Sequence, residues 1–369
     1  MMDGGSSGST LRKGKRPLGR WQSPGRVNLI GEFTDFNMGL VLPFAISRRL
    51  HVLAALLDDP EVVVSSAQTS DVVVRNLDEL TPADANSWAS YVTGVVWVFR
   101  ELGIDVPGLE FAIHSDIPSG AGLSSSAAIE AAVAVAINDI TESHLNASQL
   151  ARLCHKAETE YVGVPVGMMD QLAVLNAHTD SAMFIDCLDQ SILQVPLTPR
   201  HFVVVDTMVR HENRDGSYAT KRSQCLRAAA RLGVGSLREA TVSMVESSLD
   251  GELANVARHV VTENERVTET VDRLSREESI GDLLLASHRS LQHCFGVSCP
   301  ELDCVVDTAM SSGAEGARMF GAGNGGCAIV LAEDWQHVVS EVEREFQSRG
   351  FRPPQSFVVR PCDGAGREL

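Results

Sequence analysis

The chain has 369 residues, a hydrophobic content of 44% and a formal net charge of −17. This length is typical of two domains that each bury a core. The negative charge argues against a nucleic-acid or anionic-membrane binder, because no basic field attracts phosphate backbones, but a local site can still hold one small phosphate. No uncharged apolar run reaches the roughly 18 to 20 residues that span a bilayer, so we expect no membrane partner.

The N-terminal segment and the cysteines bear on the cellular location of the protein. Residues 1–20 carry basic side chains but no apolar segment like that of a secretory signal, so we expect a disordered tail and an ordered chain that begins at Trp21. The eight cysteines include no C-x-x-C pair, and the eleven histidines show no H-E-x-x-H spacing. We therefore expect reduced thiols, a cytoplasmic location, and neither a structural metal nor a catalytic thiol.

The ordered chain opens with a predicted hairpin. An apolar strand, Val27–Ile30, precedes a tight polar turn and a second apolar strand, Val41–Ile46. Glu32 and Asp35 lie in the turn, and Arg26 lies just upstream. Two carboxylates and a guanidinium at such a turn could bind a polyhydroxyl ligand through charge-assisted hydrogen bonds. The alternative is a solvated turn with a local ion pair.

Strand-like runs continue at 51–57, 62–65 and 72–74, and apolar residues at helical spacing then predict a helix that ends near Gly103. From Leu109 to His114 the apolar side chains alternate with others, which predicts a strand with one buried face.

A glycine loop follows that strand. Pro118, Gly120 and Gly122 break the strand, and three serines then precede an Ala-rich run to Ile137 that predicts a buried helix. Free N–H groups and the helix dipole favour an anion at a helix N-terminus, and glycines let the backbone approach it, so this order predicts a phosphate cradle. The alternative is a plain turn capped by Ser124 or Ser125.

An acid then interrupts an apolar segment. After a predicted helix from Ser148 to Tyr161, Asp170 lies among methionine, leucine and alanine side chains. Burying an unpaired carboxylate is expensive, so this residue is expected to have a partner or a task. The alternative is an aspartate that caps another helix.

The residues from Pro196 to Arg200 are the predicted boundary between two halves, and the second half alternates strands with helices, which indicates an α+β fold. Its glycines 321, 323 and 326 match G-x-G-x-x-G, but a strand follows them, so a dinucleotide fingerprint is excluded and a glycine hairpin closing over another site is predicted.

Five segments in register resemble one family. PSGAGLSSSAA and GARMFGAGNGGCAIVL resemble the second and third motifs of the GHMP small-molecule kinases. GRVNLIGEFTDFNMGLVLP, GVPVGMMDQ and the segment from Tyr218 to Cys225 resemble galactokinases within that family. The resemblance implies an α+β two-domain GHMP kinase fold, with an N-terminal nucleotide-binding domain of the ribosomal S5-like type at 21–196, a ferredoxin-like domain at 197–369, and the active site in the cleft between them.

The resemblance also implies roles for individual residues. Asp170 and Arg26 match the catalytic pair, in which the arginine offsets charge in the transition state. The positions that match sugar contacts are Glu32, Phe33, Asp35, Gly167, Asp170 and Tyr218. Those that match the ATP phosphate loop are Pro118, Gly120, Ala121, Gly122, Leu123, Ser124, Ser125 and Ser126. Ser126 and Glu158 match the positions associated with Mg²⁺, with Ser125 adjacent to the first of them. The implied reaction is transfer of the γ-phosphoryl group of MgATP to the anomeric hydroxyl of galactose by a monomer that binds only small molecules.

Three positions depart from the galactokinase pattern. Phe33 replaces a histidine that faces the C6 hydroxyl of the sugar, Phe36 replaces a tyrosine, and Asn324 replaces an aromatic residue. Because Phe33 can neither donate nor accept a hydrogen bond, we expect relaxed or altered specificity at C6. The alternatives are therefore a kinase for a related sugar, such as L-arabinose or a uronic acid, or a non-catalytic sensor of sugar and ATP.

Overall fold

The computed structural model describes residues 11–12, 16–82, 87–197, 201–210 and 217–368. Most of the predicted tail, and residues 198–200 of the predicted boundary, lie outside these ranges. The expected start at Trp21 is wrong, because strand β1 already begins at Pro17. Residues 17–20 are largely exposed and show no apolar alternation, so the sequence pattern gave no sign of a strand there.

A six-stranded sheet is the centre of the first half, in the order β13-β1-β3-β6-β4-β5. Its strands are β1 (Pro17–Asn28), β3 (Pro43–Leu56), β4 (Glu61–Ser66), β5 (Val72–Asn76), β6 (Leu109–Ser115) and β13 (Gly366–Arg367). All neighbours pair antiparallel except β4 and β6. The expectation of one buried face on β6 is wrong, because Glu110 and Ala112 are also buried. The chain at Arg12 covers that face, and its guanidinium pairs with the Glu110 carboxylate at 3.1 Å.

Helices cover this sheet and carry three of the predicted site residues, Ser125, Ser126 and Asp170. They are α1 (Ser90–Glu101), α2 (Ser125–Ile140), α3 (Ala147–Lys156) and α4 (Met169–Asn176). The predicted helix from Ser148 to Tyr161 is observed as α3 followed by a π-helical turn, Ala157–Val162. A small three-stranded sheet of β2 (Leu40–Val41), β7 (Ser181–Asp186) and β8 (Ser191–Pro196) flanks them. The hairpin of β7 and β8 was not predicted.

The second half contains a four-stranded antiparallel sheet in the order β10-β11-β9-β12. Its strands are β9 (Phe202–Asp206), β10 (Gly316–Phe320), β11 (Cys327–Leu331) and β12 (Gln355–Val359). Numbered along the chain, this order is 2-3-1-4, which is the ferredoxin-like arrangement that the resemblance implied. The helices of this half are α5 (Ser217–Leu232), α6 (Val242–Ser248), α7 (Gly251–Ser275), α8 (Gly281–Ser290), α9 (Pro300–Ser311) and α10 (Trp335–Arg349).

The end of the chain returns to the first half. Strand β13 pairs with β1, with Arg367 opposite Trp21. The unit predicted at 197–369 therefore contributes its last strand to the other sheet. Within the described residues, no helix has the length and apolarity needed to cross a bilayer.

Candidate active site

Asp170 and Arg26 form the centre of the site. Asp170 lies in the first turn of α4, where a negative charge suits the helix dipole. Arg26 extends from β1 and donates to both carboxylate oxygens, from Nε to Oδ1 at 2.8 Å and from Nη2 to Oδ2 at 2.8 Å. The arginine side chain is 7% exposed and the aspartate side chain 27% exposed. The carboxylate is thus held in one orientation by a buried cation and keeps one accessible face.

Ser124 connects this pair to the glycine loop. It has a left-handed backbone, with φ of 56°, and although it precedes α2 its hydroxyl makes no capping bond. The hydroxyl instead donates to Asp170 Oδ2 at 2.5 Å. The plain capped turn considered above is therefore wrong for Ser124. Arg26 also donates from Nη1 to the Gly122 carbonyl at 2.5 Å, so the loop contacts both members of the pair.

The loop exposes backbone where an anion could approach. Gly120 and Gly122 are exposed and have φ of 69° and 75°, which L side chains rarely adopt. Ala121 and Leu123 are buried, so these two predicted ATP residues offer only main-chain groups. Pro118, Ser125 and Ser126 are half-buried, and both serines lie at the N-terminus of α2, where N–H groups lack helical partners.

A second glycine hairpin closes against this loop. Between β10 and β11, Gly321 lies against Gly122, and a Cβ added at Gly321 would be 3.5 Å from the Gly122 Cα. Gly326 faces the Ala121 carbonyl in the same way. The hairpin predicted from the G-x-G-x-x-G match is therefore observed. Asn324 in this hairpin has φ of 52°, a conformation that asparagine tolerates better than an aromatic residue does.

Glu158 lies behind the loop, in the π-helical turn after α3. Burial and the nearby Asp170 carboxylate raise the pKa of Glu158 to about 7, against the opposing effect of a hydrogen bond from Ser126. Gln171 donates to Glu158 Oε2 at 2.5 Å and to Glu130 Oε2 at 3.2 Å. Burial also raises the pKa of Glu130, and the Glu158 charge adds to that shift. Two buried carboxyl groups that share one amide therefore lie beside the loop predicted to hold phosphates.

The Glu32 turn lies on the other side of Asp170. The Glu32 carboxylate is 4% exposed and accepts from the Gly321 N–H at 2.9 Å, with the Arg318 guanidinium at 3.6 Å. Burial raises the Glu32 pKa despite this cation. Asp35 contacts Gly167 so closely that a Cβ at Gly167 would lie 1.9 Å from Asp35 Oδ2. Burial and the Asp170 charge raise the Asp35 pKa to about 7.

Aromatic rings line this side. Phe33 has φ of 63° and is 4% exposed. Its ring centroid lies 4.5 Å from Phe295, 6.0 Å from Tyr218 and 6.4 Å from Phe36. Phe36 packs edge-on against Tyr218 at 5.4 Å. Burial and the Asp35 charge raise the pKa of Tyr218. The two phenylalanines that depart from the family pattern thus lie in one cluster with the predicted sugar residue Tyr218.

Helix α7 supports the Glu32 turn from the second half. Glu263 is fully buried and accepts from the Gly31 N–H at 3.0 Å and the Ser287 hydroxyl at 2.6 Å. Arg266 pairs with it at 2.7 Å, and this cation helps lower the Glu263 pKa to about 2 in spite of burial. Sequence reasoning missed this support, as it missed Gln171, Glu130 and Arg318. For Gln171, Glu130 and Arg318 the available signal was a polar residue inside an apolar helix or strand, the same signal that identified Asp170.

The arrangement suits phosphoryl transfer chemistry. A positioned carboxylate and a buried arginine lie within one hydrogen bond of a loop with open backbone, and such transfer depends mainly on positioning and charge stabilisation. Within the described residues, no group of three or more His, Cys, Asp or Glu side chains could hold a metal on its own.

Comparison with known proteins identifies the family. The model of the GHMP kinase N-terminal domain matches residues 90–177, that of the galactokinase galactose-binding signature residues 12–56, and that of the GHMP kinase C-terminal region residues 260–349. A galactokinase of Streptomyces coelicolor is 42% identical, with 98% of each chain covered. A galactokinase of Mycobacterium tuberculosis is 37% identical, with 93% of this chain and 97% of the relative covered.

Solved structures agree with this result. Lactococcus lactis galactokinase, solved as a complex with galactose, has a TM-score of 0.91 and 31% identity, with 95% of each chain covered. A mevalonate kinase has a TM-score of 0.70 at 18% identity, over 93% of this chain and 99% of that chain, and so shares the fold. This chain therefore belongs to the GHMP kinase family and, within it, to the galactokinases.

Proposed function

We propose that this chain transfers the γ-phosphoryl group of ATP to the anomeric hydroxyl of galactose. The observation that carries the proposal is the contact of Asp170 with both Arg26 and Ser124, at 2.8 and 2.5 Å. It brings a carboxylate that can orient a sugar hydroxyl next to the loop that can hold the nucleotide phosphates. A non-catalytic sensor has no need of this pairing, so we favour the enzyme.

In the proposed reaction, the anomeric oxygen attacks the γ-phosphorus and the bond to the β-phosphate oxygen breaks, which releases ADP. The hydroxyl proton passes to Asp170, whose Oδ1 accepts one hydrogen bond from Arg26 and retains a second lone pair. Arg26 stabilises the charge that develops between the aspartate and the phosphoryl group. Main-chain N–H groups from Gly120 to Ser126 bind the phosphates.

The sugar would lie between Asp170 and the Glu32 turn. Asp35 and Tyr218 provide polar groups for ring hydroxyls, and Gly167 leaves room for Asp35. Glu32 is fixed to Gly321 and so aligns the turn with the glycine hairpin. Phe33 presents an apolar ring on the side where the family histidine meets the C6 hydroxyl.

We propose Glu158 and Ser126 as the protein groups for Mg²⁺. The fit rests on charge: neither Glu158 nor its neighbour Glu130 forms an ion pair within the described ranges, and their burial disfavours two uncompensated anions. Mg²⁺ commonly takes one or two carboxylates and completes its shell with substrate phosphates and water. When bound, it neutralises charge on the transferring phosphates.

We further propose a monomeric enzyme of the cytoplasm. The eight cysteines are free thiols, which suits a reducing compartment.

The test is ADP release measured with a panel of hexoses and pentoses. We expect turnover that depends on galactose and ATP, and a loss of about 10³-fold or more in kcat for Asp170→Ala, since positioning and proton transfer are both removed. Absence of sugar-dependent ADP release from the wild-type protein with every sugar would refute the proposal.

A further inference from the structure

Gln171 connects the helix that carries Asp170 to two buried carboxylates behind the glycine loop. It directly follows Asp170 on α4 and points the other way, into the interior, where it is fully buried. Its Nε2 is shared by two carboxylates, Glu158 at 2.5 Å and Glu130 at 3.2 Å. These two carboxylates are 4% and 0% exposed. Water therefore has little access to replace this amide if it is removed.

Helix α2 carries the second of these carboxylates. Ser126 lies in the first turn of α2, and Glu130 follows four residues later on the same face of the helix, one turn further on. The Gln171 amide therefore links Glu158 to the helix that carries Ser126, and the orientation of this amide depends on Glu130.

We propose that Gln171 and Glu130 are positioning residues that orient the Glu158 carboxylate and thereby set the affinity of this site for the divalent cation of the nucleotide. This inference rests on the proposed function and deepens it. The shared amide restrains the Glu158 side chain, which otherwise could rotate within the π-helical turn. Partners that fix a metal-binding carboxylate typically matter by 10- to 100-fold in metal affinity or activity.

The test measures Mn²⁺ binding by electron paramagnetic resonance in the presence of ADP and without sugar, so that turnover is not involved. Gln171→Leu and Gln171→Met should each weaken Mn²⁺ binding about 10- to 100-fold. Galactose affinity in the absence of nucleotide should change by less than about twofold. Glu130→Leu should weaken Mn²⁺ binding in the same direction, whereas Glu130→Gln keeps an oxygen acceptor for Gln171 and should recover most of the loss.

Gln194 on β8 is the matched control. Gln194 Nε2 donates a hydrogen bond to the Asn176 carbonyl at 2.9 Å, but Gln194 lies in the hairpin of β7 and β8 and contacts neither Glu158 nor Glu130. Gln194→Leu should therefore leave Mn²⁺ affinity unchanged. Wild-type Mn²⁺ affinity in both Gln171 variants, or an equal loss of galactose affinity, would overturn the positioning role. Wild-type turnover of galactose tests the proposed function separately, because the Mn²⁺ measurement needs no sugar. Thermal melting shows whether each Gln171 variant folds. Because leucine and methionine differ in shape, the test remains decisive if one of the two variants fails to fold.

Discussion

Gly167→Ala provides a sharp test of the sugar site. The added Cβ would lie 1.9 Å from Asp35 Oδ2 and 2.6 Å from its Cγ, whereas real Cβ atoms essentially never approach closer than 3.0 Å. Asp35 must therefore move by about 1 Å or more, and a misplacement of about 1 Å can cost roughly 100-fold in rate. We expect kcat/KM for galactose to fall by about this factor while the KM for ATP is unchanged.

The assay is ADP release at varied galactose and, separately, at varied ATP. Gly366→Ala is the control, because a Cβ there meets no atom within 4 Å, and it should behave as wild type. If Gly167→Ala keeps kcat/KM for galactose within about threefold of wild type, or loses ATP affinity as strongly as galactose affinity, the placement of Asp35 at the sugar is wrong.

Three further outcomes follow from the same contacts. Because Phe33 offers no hydrogen bond, the preference in kcat/KM for galactose over 6-deoxygalactose should be much smaller than the roughly 10⁴-fold expected of a fully hydrogen-bonded hydroxyl. Phe33→His should increase this preference. A wild-type preference of about 10⁴-fold would contradict an apolar contact at C6. Because the Asp35 pKa is raised to about 7, its carboxylate costs stability increasingly as pH rises from the unfolded pKa near 3.8 to 7. The melting temperature of Asp35→Asn should therefore exceed that of wild type at pH 8, and the difference should shrink towards pH 4. The KM for galactose should rise below pH 7 only in the wild type. An equal difference in melting temperature at both pH values would contradict the burial of this charge. Glu263, with its pKa lowered to about 2, contributes stability that is present above the unfolded pKa of 4.5 and is lost as pH falls towards 2. Glu263→Ala removes a fully buried acceptor from the half-buried Arg266, the Gly31 N–H and the Ser287 hydroxyl, and should cost about 3 to 5 kcal/mol in urea unfolding. A cost below about 1 kcal/mol would count against this role.

Short patterns predicted the elements that carry chemistry. The alternation before Pro118 and the Ala-rich run after it placed β6 and α2 well, and an acid inside an apolar segment identified Asp170 as a residue with a partner. That partner, Arg26, lies 144 residues away, and no periodicity could pair the two. The resemblance to a family supplied that pairing, and it also supplied the ferredoxin-like topology.

Other features of the site and the fold could not be predicted from local sequence patterns, for physical reasons. The π-helical turn that carries Glu158 depends on packing rather than on local preference. Glu130 and Gln171 interrupt apolar segments, but that pattern does not say which group each side chain contacts, and Glu263 lies in a largely polar helix. The roles of these three residues are recognisable only once their buried hydrogen bonds are known. The hairpin of β7 and β8 is largely exposed on β8, so its sequence lacks the apolar contrast on which strand prediction depends.

Strand β13 has a consequence for folding. Trp21 pairs with Arg367 and Gln22 with Gly366, and the Arg367 guanidinium lies over the Trp21 ring, so two segments far apart in the sequence must meet before this edge is complete. Until they meet, that edge of the first sheet keeps unpaired backbone groups, which are a template for association between partly folded chains. Substitutions that prevent the pairing of β13 should therefore lower the yield of folded protein more than their distance from Asp170 suggests.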